Sequence, residues 1–128
     1  MWRGMDKRKF PRANYKCSVT IKRGGAPSAF NTHTENIGVG GIAVVLDKPL
    51  DIFENVQIEL ALEDNKPPIK CRGSAVWVVK HSTFEKHIPP KFDTGLEFID
   101  ISEEDLARVD AIVNEICLKE LDKPENPA

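Results

Sequence analysis

No apolar run in this chain approaches the ~20 residues that carry a helix across a bilayer, so no membrane span of that kind is expected. The opening Met1-Trp2-Arg3-Gly4-Met5 lacks the apolar stretch of a signal peptide, which makes a cytoplasmic location the expectation. Cysteine is scarce. Cys17, Cys71 and Cys117 are odd in number and without Cys-x-x-Cys spacing, the pattern of buried free thiols rather than of disulfides or metal ligands. His33, His81 and His87 show no His-x-x-x-His or Glu-paired helical arrangement, so no metal site is expected. The chain also lacks a recognisable Ser-His-Asp set, paired catalytic carboxylates or a phosphate-loop fingerprint, and on that ground neither an enzyme activity nor a cofactor is expected.

What the chain has is ordinary globular composition over 128 residues, 41% hydrophobic and 30% charged, enough for one domain with its own core. The net charge is only -2, but it is unevenly placed. Residues 1–25 carry eight basic side chains against Asp6 alone, while the remainder carries ten against nineteen acidic ones. A basic arm on an acidic body suits a local anionic ligand. A nucleic-acid polymer would need positive charge along a whole face, and none is expected as a partner.

Alternation of Tyr15, Cys17, Val19 and Ile21 with polar neighbours predicts a first strand, ended by Gly24-Gly25-Ala26-Pro27. Phe30–Glu35 reads as a second and Ile42–Leu46 as a third. Val56, Ile58, Leu60 and Leu62 define a fourth, and Ile69–Lys80 a long fifth with Cys71, Gly73, Ala75, Trp77 and Val79 on one side. Trp77 is expected in core or rim packing. A loop over 81–91, with Pro89-Pro90, precedes a sixth strand around Thr94–Phe98. Six short strands with turn residues between them favour a small barrel, an all-β fold. The period then changes. Leu106, Val109, Ile112, Val113, Ile116 and Cys117 recur at helical spacing behind Ser102 as N-cap, which predicts one amphipathic helix over 102–122. Its apolar stripe is expected to pack on the barrel, with Leu118 and Leu121 as the residues a weak dimer would use. The expected division is a flexible arm over 1–14, a barrel domain over 15–123 and a tail over 124–128.

Two motifs carry chemistry. Arg8-Lys9-Phe10-Pro11-Arg12 spaces two arginines as Arg-x-x-x-Arg, and guanidinium forks bind phosphate and the guanine edge bidentately. Asn36-Ile37-Gly38-Val39-Gly40-Gly41 reads Asn-x-Gly-x-x-Gly and is expected as a turn whose amide offers donor and acceptor beside exposed backbone. Together they suggest a nucleotide-binding surface.

In this order, and followed by Gly73-Ser74-Ala75-Val76-Trp77, Gly95-Leu96-Glu97-Phe98 and a closing helix, the motifs resemble the PilZ domain, a bacterial module that binds cyclic di-GMP. The resemblance implies a six-stranded antiparallel β-barrel with a C-terminal helix, its ligand lying on the barrel under the arm. It implies phosphate and guanine contacts from Arg8 and Arg12, help from Lys7, guanine recognition by Asn36, and a turn glycine at Gly41. Gly38 departs from the family's usual Ser. The missing hydroxyl would cost about 0.5–1.5 kcal/mol, or two- to tenfold in affinity. The implied function is a cyclic di-GMP receptor that passes its signal to an unidentified protein partner as a monomer or weak dimer. The alternative is a degenerate PilZ domain that acts as a ligand-independent adaptor.

Overall fold

The computed structural model describes residues 12–25, 29–82, 84, 85 and 87–122, with side chains through Lys119. Its elements are β1 (Arg12–Ala13), β2 (Ser18–Arg23), β3 (Ala29–Gly38), β4 (Gly41–Leu46), β5 (Asn55–Ala61), β6 (Ile69–His81), β7 (Lys91–Phe98) and α1 (Glu103–Asp122). All strand pairings are antiparallel. Strands β3 and β4 pair with each other as well as with the rest of the sheet, in the circuit β2-β3-β4-β7-β6-β5 and back to β2. Six strands therefore close a barrel and leave no open edge. The short β1 lies outside that circuit, paired to the end of β3 through Arg12–Gly38 and Ala13–Ile37.

The alternating strands put Val19, Ile21, Ile58, Leu60, Ile69 and Leu96 into one core. In α1, Val109 and Val113 stand one turn apart and are fully buried, and the helix packs against β1 and β3. Burying two valines contributes roughly 1.5–3 kcal/mol each. Ser102 caps the helix by accepting the backbone N–H of Asp105 at 3.1 Å.

Three departures from the sequence reading bear on the site. Arg12 and Ala13, expected in a flexible arm, belong to a strand, because Ala13 is buried against the core and its ladder partner is Ile37. Asn36 and Gly38, expected in a turn, lie on β3, so the turn is only the two-residue link Val39-Gly40. Thr34 makes the extension of β3 possible. Its hydroxyl donates to the Tyr15 carbonyl and accepts from the Cys17 N–H at 3.0 Å, and its own N–H meets the Cys17 carbonyl at 2.9 Å. The third departure is on β6, where a bulge between Ala75 and Trp77 reverses the alternation. Ala75 faces the core, whereas Trp77 is 43% exposed and Val79 is exposed with it.

The bulge is braced by the loop before β5. The Phe53 N–H donates to the Ala75 carbonyl at 2.6 Å and the Ala75 N–H to the Glu54 carbonyl at 3.0 Å. Arg23 grips the Glu54 carboxylate with two bonds of 2.6 and 2.8 Å, and the Asp51 N–H adds a third at 2.9 Å. Between these anchors Phe53 adopts φ 68° with its ring in solvent. A left-handed phenylalanine is strained, so the loop keeps this shape only through the bonds around it.

The Arg23 bonds hold the Glu54 carboxyl below its ordinary pKa. Its contribution to stability is therefore complete above the unfolded carboxylate pKa and is lost as pH falls through the lower folded value. Glu54→Gln should lower the thermal midpoint near neutral pH, and the difference from the native chain should shrink as the buffer is taken below pH 4. Melting curves across that range measure it.

Candidate functional site

Pairing registers carry the site across the sheet as two rows. The first runs Arg12, Gly38, Gly41 and Glu97 over β1, β3, β4 and β7. The second runs Asn36, Ala43, Gly95 and Trp77 over β3, β4, β7 and β6. Between them lies the row Ala13, Ile37, Ile42, Leu96 and Ala75, every member of which is buried. Because a strand alternates faces, the two flanking rows share the outer surface. In each, two large polar or aromatic side chains flank a stretch of small residues, Gly38 and Gly41 in the first and Ala43 and Gly95 in the second. The result is an open cleft of about 530 Å³ whose walls include Arg12, Asn36, Val76, Trp77 and Glu97 around the backbone of Gly41, Gly95 and Leu96.

Two of the floor glycines have separate reasons. A Cβ on Gly41 would collide with the carbonyl oxygen of Leu96 and press on Glu97 Cα, both backbone atoms of β7 that cannot move aside. Gly41 is thus required by strand packing before any ligand is considered. A Cβ on Gly95 would strike the indole of Trp77 instead, at Nε1, Cε2 and Cδ1. The ring lies directly against the glycine backbone while much of it stays open to solvent. That is an aromatic platform in the wall of a cleft.

Opposite the indole, Arg12 Nε donates to Asn36 Oδ1 at 2.6 Å and Nη2 reaches the Gly41 carbonyl at 3.4 Å. Both partners are neutral, and Arg12 has no carboxylate partner among the described residues. Surrounding protein desolvates the guanidinium and lowers its pKa, but arginine stays protonated at any physiological pH. A guanidinium held by neutral acceptors in a cleft keeps its full positive charge, and chemically such a group can take an anion. The bond from Arg12 also orients the Asn36 amide: Oδ1 is turned toward the guanidinium, and the NH₂ is left with both donors open.

The structure therefore brings together Arg12, Asn36, Gly38 and Gly41 of the six site residues named from sequence. Lys7 and Arg8 lie outside the described residues. Trp77, Gly95 and Glu97 were missed, because only the bulge at Val76 turns the indole outward and a β-pattern alone assigns it inward. Among the described residues no group of three or more His, Cys, Asp or Glu side chains is placed to hold a metal ion, and no helix is long and apolar enough to cross a membrane. The three cysteines are unpaired, with Cys17 buried and the other two half-buried. Desolvation pushes the Cys71 thiol up to about 11, so it is protonated at neutral pH. A smaller cleft of about 260 Å³ between Lys22, Glu59, Lys70 and Arg72 contains none of the motif residues, and its Arg72 is already bonded to Asp100 at 2.8 Å.

The family model for the PilZ domain matches residues 6–115. The chain belongs to the PilZ family. Solved structures agree on the fold. The PilZ domain of YcgR from Escherichia coli with c-di-GMP superposes with a TM-score of 0.68 at 13% identity, over 93% of this chain and 100% of that one. Apo MrkH from K. pneumonia gives 0.74 at 16% identity over 97% and 56%, and the Bacillus subtilis inhibitor of motility MotI/DgrA gives 0.68 at 19% over 98% and 55%. The chain thus spans about half the length of the two longer proteins. No curated protein sequence matches it. The six-stranded PilZ barrel with one C-terminal helix is the architecture found here.

The two glycines give opposite expectations. Gly41→Ala meets immovable backbone and should destabilise the fold by about 1–3 kcal/mol, visible as a clear drop in thermal midpoint. Gly95→Ala meets only a side chain that can swing away. Its midpoint should stay close to native while the near-UV circular dichroism of Trp77 changes.

Proposed function

We propose that this PilZ domain is a non-catalytic receptor for cyclic di-GMP that binds in the cleft between Arg12 and Trp77 and presents the occupied surface to a partner protein. The observation that carries the reading is the pair of outer rows, which set a guanidinium with no carboxylate partner among the described residues, and an amide donor, across a bare floor from a seated indole. Cyclic di-GMP has two phosphates and two guanines. Its phosphates suit the Arg12 fork, its purine faces suit the indole, and its O6/N7 edge suits the free NH₂ of Asn36. Arg8 and Lys7, spaced as in the family motif, add charge from the arm. Two of the structural relatives, YcgR and MrkH, have been solved in complex with c-di-GMP, which supports the same ligand for this chain.

Ligand bound beside β1 changes the surface around Arg12, and that change is what a partner reads. The rest of the reading follows the charge: a local anion site on an acidic body suits a dinucleotide, not a long polymer. Gly38 favours the rival reading of a ligand-independent adaptor, since its missing hydroxyl weakens the site. Arg12 and Asn36 count against that rival, because they are already bonded to each other in an arrangement that leaves donors free.

Calorimetry decides between them. The native chain should bind cyclic di-GMP, and an Arg8→Ala, Arg12→Ala double variant should lose at least about a hundredfold, given about 1.5–3 kcal/mol for each bond to a charged group. No heat from the native chain at high micromolar ligand would reject the receptor reading. A thermal midpoint raised by cyclic di-GMP but not by GTP would support it.

A further inference from the structure

The cleft contains one group that an anion site has no evident use for. Glu97 stands in the first row on β7, and it is exposed and forms no ion pair or hydrogen bond among the described residues. Arg12 stands on β1 in the same row, with only Gly38 and Gly41 between them, and the two opposite charges do not pair. Three strand spacings separate their α-carbons by roughly 14 Å, a gap that two long side chains narrow to the width of a nucleobase. Along β7, Glu97 is two residues from Gly95, hence about 7 Å from the seat of the indole on the same face. A purine lying on Trp77 therefore presents its edge to Glu97.

A bare carboxylate repels a phosphate bound nearby, and a ligand in this cleft offsets that repulsion by offering the carboxylate donors. Guanine does so with two adjacent N–H groups, N1–H and the N2 amine, which a carboxylate accepts side by side. Adenine presents an acceptor at N1 and cannot. Asn36, whose carbonyl already accepts from Arg12, has both N–H donors of its amide open, and these suit O6 and N7 on the other edge of the same base. We infer that Glu97 is the specificity-determining residue of this site, accepting guanine N1–H and N2–H while Asn36 donates to the opposite edge. This rests on the receptor reading above and adds to it the group that tells guanine from other purines.

The test uses the full chain and three probes: cyclic di-GMP, cyclic di-IMP, whose base lacks only the N2 amine, and cyclic di-AMP. The native chain should bind cyclic di-GMP best, cyclic di-IMP several-fold more weakly and cyclic di-AMP weakest. Glu97→Gln and Glu97→Ala should keep the native thermal midpoint, lose about tenfold or more for cyclic di-GMP, and bind cyclic di-GMP and cyclic di-IMP alike. Unchanged or tighter binding of cyclic di-GMP by Glu97→Ala, or a preference over cyclic di-IMP that survives in it, would overturn the inference while leaving the receptor reading intact. A native chain that binds none of the three overturns both.

Discussion

The site depends on β3 being paired on both sides at Gly38. On one side β1 brings Arg12 opposite that glycine, and on the other β4 brings Gly41. Without the first pairing Arg12 has no fixed place, and without the second the barrel does not close. The main-chain ladder thus does the positioning, and it demands small residues where the strands crowd. Gly41 shows this most directly, since the backbone of β7 occupies the space a side chain would need. The same smallness that lets the strands approach leaves the floor of the cleft bare.

The other wall is held less directly. Trp77 faces outward because β6 bulges after Ala75, and the bulge is tied to a strained loop by two backbone hydrogen bonds. That loop is in turn fixed by the two-bond grip of Arg23 on Glu54, a pair partly shielded from solvent. A charged pair at the far side of β5 therefore contributes to the aim of an aromatic ring in the cleft. The chain of support also explains why a phenylalanine can sit in a left-handed conformation with its ring exposed: its backbone bonds, not its side chain, are what the fold uses.

Much of this was legible in the sequence. Period-two alternation gave six strands, the switch to helical spacing at Leu106 gave the closing helix, and Arg12 and Asn36 were named as partners in one site. What escaped was register. Whether Asn36 lies in a turn or on a strand depends on Thr34 binding the segment at Tyr15 and Cys17, a long-range contact with no local signature. Trp77, expected in core or rim packing on the same side as Ala75, faces outward because a single extra residue in a strand reverses every side chain after it, and nothing in Ala75-Val76-Trp77 marks the bulge. Gly95 and Glu97 became meaningful only once β7 was seen to run beside β4 and under the indole.

The most direct measurement is the fluorescence of Trp77 itself. In a Trp2→Phe chain, so that Trp77 is the only indole, the proposed stacking of a purine on the exposed ring predicts that cyclic di-GMP quenches the emission along a saturable curve. The additional change Arg12→Ala should move that curve to much higher ligand concentration. Binding seen by calorimetry with no change in Trp77 emission would contradict the placement of the ligand between Arg12 and the indole.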